Sequence, residues 1–276
     1  MAASAPSTDL ELDLAAYRIP GPDTCYYIPN FITVEEEEYL IGKIKDSPQQ
    51  RWKQLANRRL QLWGGELTSN NALIAQAMPA FVESYPDIIA RLRATGMKYV
   101  CRVGVLGELT LTLTICRIAD CSASDAQGIM PHEDGPAYFP VVATISLASH
   151  CVFHYYRYKK EGAAAEASAK GSIDPEPVLS VLLEPRSVVI SRDALYKEHL
   201  HAIREVQEDV VVAAAAGDTP RVQFGDTSML PIANWETVAA KEVKEGLGGV
   251  MQRETRYSLT CRDVEKVVQL KVFGKR

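Results

Sequence analysis

Long apolar runs are missing from these 276 residues. No stretch approaches the roughly 18 apolar residues that a membrane-spanning helix requires, so no membrane association is expected. The first residues, MAASAPSTDLELDLAAY, carry neither a basic start nor an apolar segment, which argues against a secretory signal or a basic transit peptide. Cysteine is sparse: six scattered residues with no CxxC pair argue against zinc ribbons and disulfide scaffolds. A reducing compartment, cytosol or nucleus, follows as the expectation. Positive charge is short too. A formal net charge of −5 gives no general attraction to a phosphate backbone, so contact with nucleic acid would need a local basic patch. Histidine is scarce, and only five positions could offer an imidazole to a metal.

The stretch GIMPHEDGPAYFP, residues 128–140, sets His132 and Asp134 two positions apart in a strand-like context. In an extended strand residues i and i+2 share a face, so imidazole and carboxylate can converge on one ion. With a distant second histidine they would complete the two-His-one-carboxylate triad of non-haem Fe(II) oxygenases, which leaves coordination positions open. His150 and His154 flank CVF in an apolar run and read as a strand and its edge. His199 and His201 lie in YKEHLHAI, just after VLSVLLEPRSVVIS, where Leu179, Val181 and Leu183 alternate before a turn and the apolar run resumes at Val188. An antiparallel return across a barrel would bring this segment to the His132–Asp134 loop. His201 is the preferred ligand, although periodicity does not separate it from His199.

RYSLTCR, residues 256–262, reads as a strand with Arg256, Ser258, Thr260 and Arg262 on one face and Tyr257, Leu259 and Cys261 on the other. If the apolar face packs on neighbouring elements, two arginines point inward and need an anion, since a buried unpaired charge costs several kcal/mol. Planar guanidinium groups match carboxylates, and a dicarboxylate would satisfy both. A solvated outer strand is the competing reading. RWKQLANRRLQLWGG supplies the basic patch: Arg51, Lys53, Arg58 and Arg59 interleave with Trp52 and Trp63, as stacked bases with flanking phosphates require. A hairpin with packed tryptophans and a solvated charged face is the alternative there.

At this length one large β-rich domain or two small ones are possible. Residues 1–16 read as a loose tail, and CYYIPNF as an opening strand. Thr33 with Glu36 forms a capping box that starts a helix with Leu40, Ile41 and Ile44 on one face. A second helix is expected within 78–96, with Pro86 kinking it or starting its stronger half and Gly96 closing it. The core then runs from a strand near 109–118 to about 271. Two insertions interrupt it. Residues 159–177 are small and polar and read as a surface loop or linker. Residues 205–251 form a connection long enough to be either functional or disordered.

Together these blocks resemble the AlkB-type Fe(II)/2-oxoglutarate dioxygenases. YYIPNFITVEEEEYL (26–40), WKQLANRRLQLWGG (52–65), TISLASH (144–150) and LLEPRSVVI (182–190) are similar, in the same order, to blocks of the eukaryotic AlkB homologue six subfamily. The resemblance covers most of residues 26–272. It implies a mainly β fold with flanking helices around a double-stranded β-helix (jelly-roll). Residues 17–97 would form N-terminal helices and a substrate lid, and 98–276 the oxygenase core. It implies Fe(II) on His132, Asp134 and His201, with 2-oxoglutarate held by Arg256, Ser258 and Arg262 and with O2 as the oxidant. Trp52, Arg58, Arg59 and Trp63 would meet a DNA or RNA substrate, and a monomer is expected. One departure stands out. AlkB-like enzymes carry an Asn-x-Tyr pair on the strand before the His-x-Asp loop, and residues 98–127 contain no Asn and only Tyr99. A jelly-roll that binds nucleic acid without turnover is therefore the alternative expectation.

Overall fold

A computed structural model of the chain describes residues 12–21, 24–55, 58–96, 114–121 (backbone), 128–159, 171–215 and 217–268. A short 3₁₀ turn (Leu14–Tyr17) leads into β1 (Cys25–Ile28) and helix α1 (Val34–Lys45). Then come the hairpin β2 (Lys53–Gln54) and β3 (Arg59–Trp63), the ribbon β4 (Gly65–Leu67) and β5 (Leu73–Ala75), and the short helices α2 (Ala80–Glu83) and α3 (Ile88–Ala94). The core follows: β6 (Thr114–Cys121), β7 (Ile129–His132), β8 (Tyr138–Leu147), β9 (Cys151–Tyr156), β10 (Leu179–Leu183), β11 (Val188–Arg192), α4 (Asp193–Lys197) and β12 (Leu200–Ile203). An inserted group of β13 (Glu208–Val212), β14 (Arg221–Phe224), β15 (Ser228–Pro231), α5 (Lys241–Lys244) and β16 (Gly249–Gln252) precedes the last strand, β17 (Arg256–Val264).

Core strands cross between two sheets, apart from β9 and β10, which pair with each other. The larger has the order β1-β11-β8-β17-β6-β3-β2, and the smaller β10-β9-β12-β7. Along the chain β6, β8, β11 and β17 interleave with β7, the β9–β10 pair and β12, which is the double-stranded β-helix. The turn between β10 and β11 is not a hairpin turn: β10 pairs with β9 and β11 with β8, so Pro185 and Arg186 (φ 67°) carry the chain from one sheet to the other.

Parity divides the large sheet. Val141, Ala143, Ile145 and Leu147 of β8 and Tyr257, Leu259 and Cys261 of β17 face outward into an apolar layer with Leu40 and Ile44 of α1, Val82 of α2, and Ile88 and Leu92 of α3. Each such aliphatic side chain, fully buried, contributes about 1.5–3 kcal/mol. Thr33 and Glu36 form the capping box of α1, and Glu36 also takes two hydrogen bonds from Arg91 of α3. Glu37 accepts from Ala148 N (2.9 Å) and from Arg186 (2.8 Å). Two adjacent carboxylates therefore lock α1 to α3 and to the β8–β9 and β10–β11 turns. The expected second helix is split at Pro86, with Asp87 capping α3 through Ala90 N (2.8 Å).

One expectation needs correction, and one left open is resolved. Residues 12–16 are not a tail, because Leu14 is buried and Leu12 N donates to Ala94 O; residues 1–11 lie outside the described residues. The long connection after His201 is ordered, folding into a third sheet, β15-β14-β13-β16, whose Val211, Val222 and Leu230 pack in the cluster built on the small sheet. Within 159–177, residues 160–170 are outside the described residues, while Lys159 N to Ser172 O (2.8 Å) and Asp174 N to Arg157 O (2.9 Å) hold the base of that loop together.

Edge strand β10 is sealed by a side chain. Asn234 accepts from Leu182 N (2.9 Å) and donates to Leu182 O (2.8 Å), taking the place of a missing strand neighbour. Asn234→Ala leaves both backbone groups buried without partners, and unfolding in urea should show a loss of about 2–4 kcal/mol. His154 of β9 is buried against Ser180 Oγ (2.9 Å), and burial pushes its pKa down to about 4. Its folded value lies below the usual 6.5 or so, so this residue costs nothing above that pH and destabilises progressively as pH falls from about 6.5 towards 4. Replacing it with Leu should remove about 2 kcal/mol of the stability lost between pH 7 and pH 5, as read from urea midpoints at each pH.

Candidate metal centre

His132 ends β7 and is the register partner of His201 in β12, so antiparallel pairing alone sets the two rings side by side, with centroids 4.3 Å apart. Asp134 follows two residues after His132, beyond the strand end. One donor atom from each of His132, Asp134 and His201 lies within 4.8 Å of the others. The Asp134 side chain is only 2% exposed, and its Oδ1 is 4.0 Å from His201 Nε2. His132 Nδ1 lies 2.9 Å from Met130 O; an N–H there leaves Nε2 with a free lone pair for a metal, the usual outer-shell arrangement. Phe153 of β9 stacks on the His201 ring, with centroids 5.3 Å apart and an interplanar angle of 25°.

Electrostatics hold the set in its ligand forms. Burial pushes the His201 pKa down to about 3, helped by His132, Arg262 and Arg58 against the pull of Asp134. His132 is lowered for the same leading reason. Burial alone would raise the Asp134 carboxyl, but Arg262 and the two imidazoles hold it below its ordinary value. Two neutral imidazoles and one carboxylate are what a divalent metal binds. Asp134 Oδ2 is shielded from solvent and has no hydrogen-bond partner among the described residues, a spare acceptor oxygen of the kind a metal cation takes up.

The inward face of β17 lines the same cavity. Arg256, Ser258, Thr260 and Arg262 share it with Thr144 and Val142 of β8, Val189 and Ser191 of β11, and Ile203 of β12. Arg262 donates through Nη2 to Asp134 Oδ1, and Arg256 donates through Nη2 to Ser146 Oγ at 2.8 Å. Arg256 Nε and Arg262 Nε and Nη1 are buried with no partner among the described residues. Two guanidinium groups with spare donors in a closed space suit a dicarboxylate such as 2-oxoglutarate.

His199 is elsewhere. It is buried, its Nε2 accepts from Arg157 Nε (2.9 Å), and its Nδ1 sits 3.2 Å from Ala194 O. The four residues expected to meet substrate are divided by strand parity. Arg58 lines the metal cavity with Leu60. Arg59 and Trp63 belong to the opposite face of β3, the helix side, where Arg59 covers the Trp52 ring (4.2 Å) and Arg51 covers Trp63 (4.6 Å). Of the 98–127 stretch, residues 98–113 and 122–127 lie outside the described residues. Strand β6 pairs Ala119 with Ser258 and Cys121 with Arg256, and its sequence contains neither Asn nor Tyr. Sequence reasoning passed over Ser146 and Phe153; the alternation in TISLASH and CVFHYY was the available signal.

The first consequence is metal stoichiometry. One Mn(II) or Co(II) per chain should bind in place of Fe(II), and His132→Ala or Asp134→Ala should abolish binding in a calorimetric titration. His199→Ala should leave it nearly intact; loss of the metal in that variant alone would overturn the ligand set.

No family model matches the chain. Among solved structures it is similar to OsALKBH1 (14% identity, TM-score 0.45, 87% of this chain and 98% of that one). It is also similar to a Trichoplax adhaerens prolyl hydroxylase in complex with a hypoxia inducible factor peptide (12%, TM-score 0.43, 87% and 83%). A third is a Burkholderia pseudomallei oxidoreductase of the 2OG-Fe(II) oxygenase family (11%, TM-score 0.44, 88% and 88%). A Danio rerio relative named "Probable RNA/DNA demethylase ALKBH6" is 33% identical over 268 residues, which is 96% of this chain and 97% of that protein. With that identity over nearly the full length of both, the chain belongs to the AlkB homologue six (ALKBH6) family.

Proposed function

We propose that this protein is an Fe(II)- and 2-oxoglutarate-dependent dioxygenase that hydroxylates or demethylates a nucleic-acid substrate. The observation that carries the reading is the convergence of His132, Asp134 and His201 in a cavity whose remaining charged lining is Arg58, Arg256 and Arg262. The Danio rerio relative's name supports the nucleic-acid class. We place the protein in the cytosol or nucleus, in keeping with its free buried Cys25, Cys151 and Cys261.

Iron with 2-oxoglutarate and O2 supplies the oxidising power for a C–H bond, and an N-methyl group hydroxylated in this way is lost as formaldehyde. The chain does the rest. His132 and His201 stay neutral and offer lone pairs, and Arg262 holds Asp134 in its charged form and fixed in place. Arg256 and Arg262 receive the two ends of the cosubstrate. Val142, Val189, Phe153, Ile129 and Ile203 wall the cavity and exclude water, which strengthens each charge interaction inside. Arg58, in the same cavity, meets a phosphate of the approaching strand.

Purified protein with Fe(II), 2-oxoglutarate and O2 should release succinate even without substrate, and formaldehyde when given N-methylated single-stranded oligonucleotides. Metal binding without any succinate would favour the non-catalytic binder. Arg256→Lys keeps the charge but loses the fork, so cosubstrate affinity should fall by about 2–3 kcal/mol. Arg58→Ala should weaken oligonucleotide binding and lower the log–log salt slope by roughly one. Arg59→Ala and Trp63→Ala, on the helix face, should leave that slope unchanged. A slope that follows Arg59 instead would move the nucleic-acid surface to the other side of the sheet.

A further inference from the structure

Arg256 is the one charged side chain at the far end of β17's inward face, and among the described residues no acid sets its orientation. Its hydrogen bond to Ser146 Oγ (2.8 Å) is buried on both sides. Ser146 has no exposed surface, and Arg256 is 6% exposed. The serine is held rigidly: it is the register partner of Ser258 in β17, its N–H donates to Ser187 O (3.0 Å), and its carbonyl accepts from Arg186 N (2.7 Å). Arg256 Nε, shielded from solvent, has no partner among the described residues.

An arginine side chain carries about 2 kcal/mol of rotamer entropy, so a guanidinium tied at one nitrogen is far more ordered than one left loose. A hydroxyl does this without neutralising the charge, as a carboxylate there would. The anchor therefore leaves the full cation and its unused donors for a ligand. Between this end and Arg262, Thr144 and Thr260 face each other across the strands with their hydroxyl oxygens 3.4 Å apart, and Ser258 also lines the cavity. The wall between the two arginines is polar but uncharged.

We propose that Ser146 is a positioning residue for the cosubstrate: its hydroxyl fixes the Arg256 guanidinium to receive the remote carboxylate of a five-carbon 2-oxo diacid. This rests on the cosubstrate reading above, and it explains how the site orders that arginine when β6 contributes neither an amide nor a phenol. Ser146 selects for the second carboxylate and acts on nothing at the 2-oxo acid end.

The test is a paired titration of the Mn(II)-loaded protein with 2-oxoglutarate and with 2-oxobutanoate, which has the same 2-oxo acid head and no remote carboxylate. The parent should prefer 2-oxoglutarate. Ser146→Ala should lower 2-oxoglutarate affinity roughly ten-fold, equivalent to most of the rotamer freedom that an unanchored arginine must lose on binding, and leave 2-oxobutanoate and Mn(II) affinities unchanged. Because the readout is the ratio of two affinities, it is independent of how much of the variant is folded. A variant that weakens both acids equally, or neither, overturns the role of Ser146 while leaving the cosubstrate reading intact. A parent that binds both acids alike overturns the cosubstrate reading itself, and this proposal with it.

Discussion

Two arginines on one face of β17 set the terms for the rest of the molecule. The strand sits between β8 and β6 in the middle of the large sheet, so its outward face must be apolar to pack under the helices and its inward face is enclosed whatever it carries. Burying Arg256 and Arg262 there is tolerable only if acceptors come to them. Asp134 reaches Arg262, Ser146 reaches Arg256, and Arg256 Nε and Arg262 Nε and Nη1 have no partner among the described residues. The cavity therefore holds buried donors in excess of its acceptors, and a chain of net charge −5 concentrates three of its cations, Arg58 among them, around one enclosed carboxylate.

That imbalance also organises the metal ligands. Asp134 is held anionic by Arg262, and it is the one negative charge lining the cavity among the described residues. The nearby cations and burial both disfavour protonation of His132 and His201. The cationic lining that leaves guanidinium donors unused on one side thus keeps the imidazoles neutral on the other. The two sides are coupled through a single side chain, Arg262, which touches Asp134 directly.

What was legible in the sequence followed strand parity, and what was not depended on pairing across the fold. His132 with Asp134, and the split of RYSLTCR into an apolar and a polar face, are short-range patterns that period two reveals. Choosing His201 over His199 required knowing that β12 pairs with β7 in the register His201 to His132; adjacent parity in YKEHLHAI holds no such information. Arg58 and Arg59 differ by one residue, and the sheet face each occupies depends on how β3 registers with β6, so a basic aromatic-rich stretch could not be resolved into a cavity residue and a helix-side residue. Ser146 in TISLASH alternates with Ile145 and Leu147, and its partner lies 110 residues away. The order of the inserted sheet was hidden because its strands are four or five residues long.

That insertion has a mechanical sense once its two ends are compared. It leaves the core just after β12, which carries His201, and re-enters just before β17, which carries Arg256. Both junctions are gathered by one buried group: Asp209 accepts two hydrogen bonds from Arg253 (2.7 Å each) and lies 3.2 Å from His150 Nε2, and Arg253 also donates to Arg204 O (2.8 Å). Although burial opposes its charge, these partners hold the Asp209 pKa down to about 2, so the junction is ionised near neutral pH. Glu254 N then donates to Ser149 Oγ (2.9 Å), in the turn between β8 and β9. The exit of the ligand strand, the start of the arginine strand and the turn after Ser146 are thereby fixed to one another. A long excursion between β12 and β17 would ordinarily loosen their relation. Here its base ties the strand that carries His201 to the strand that carries Arg256.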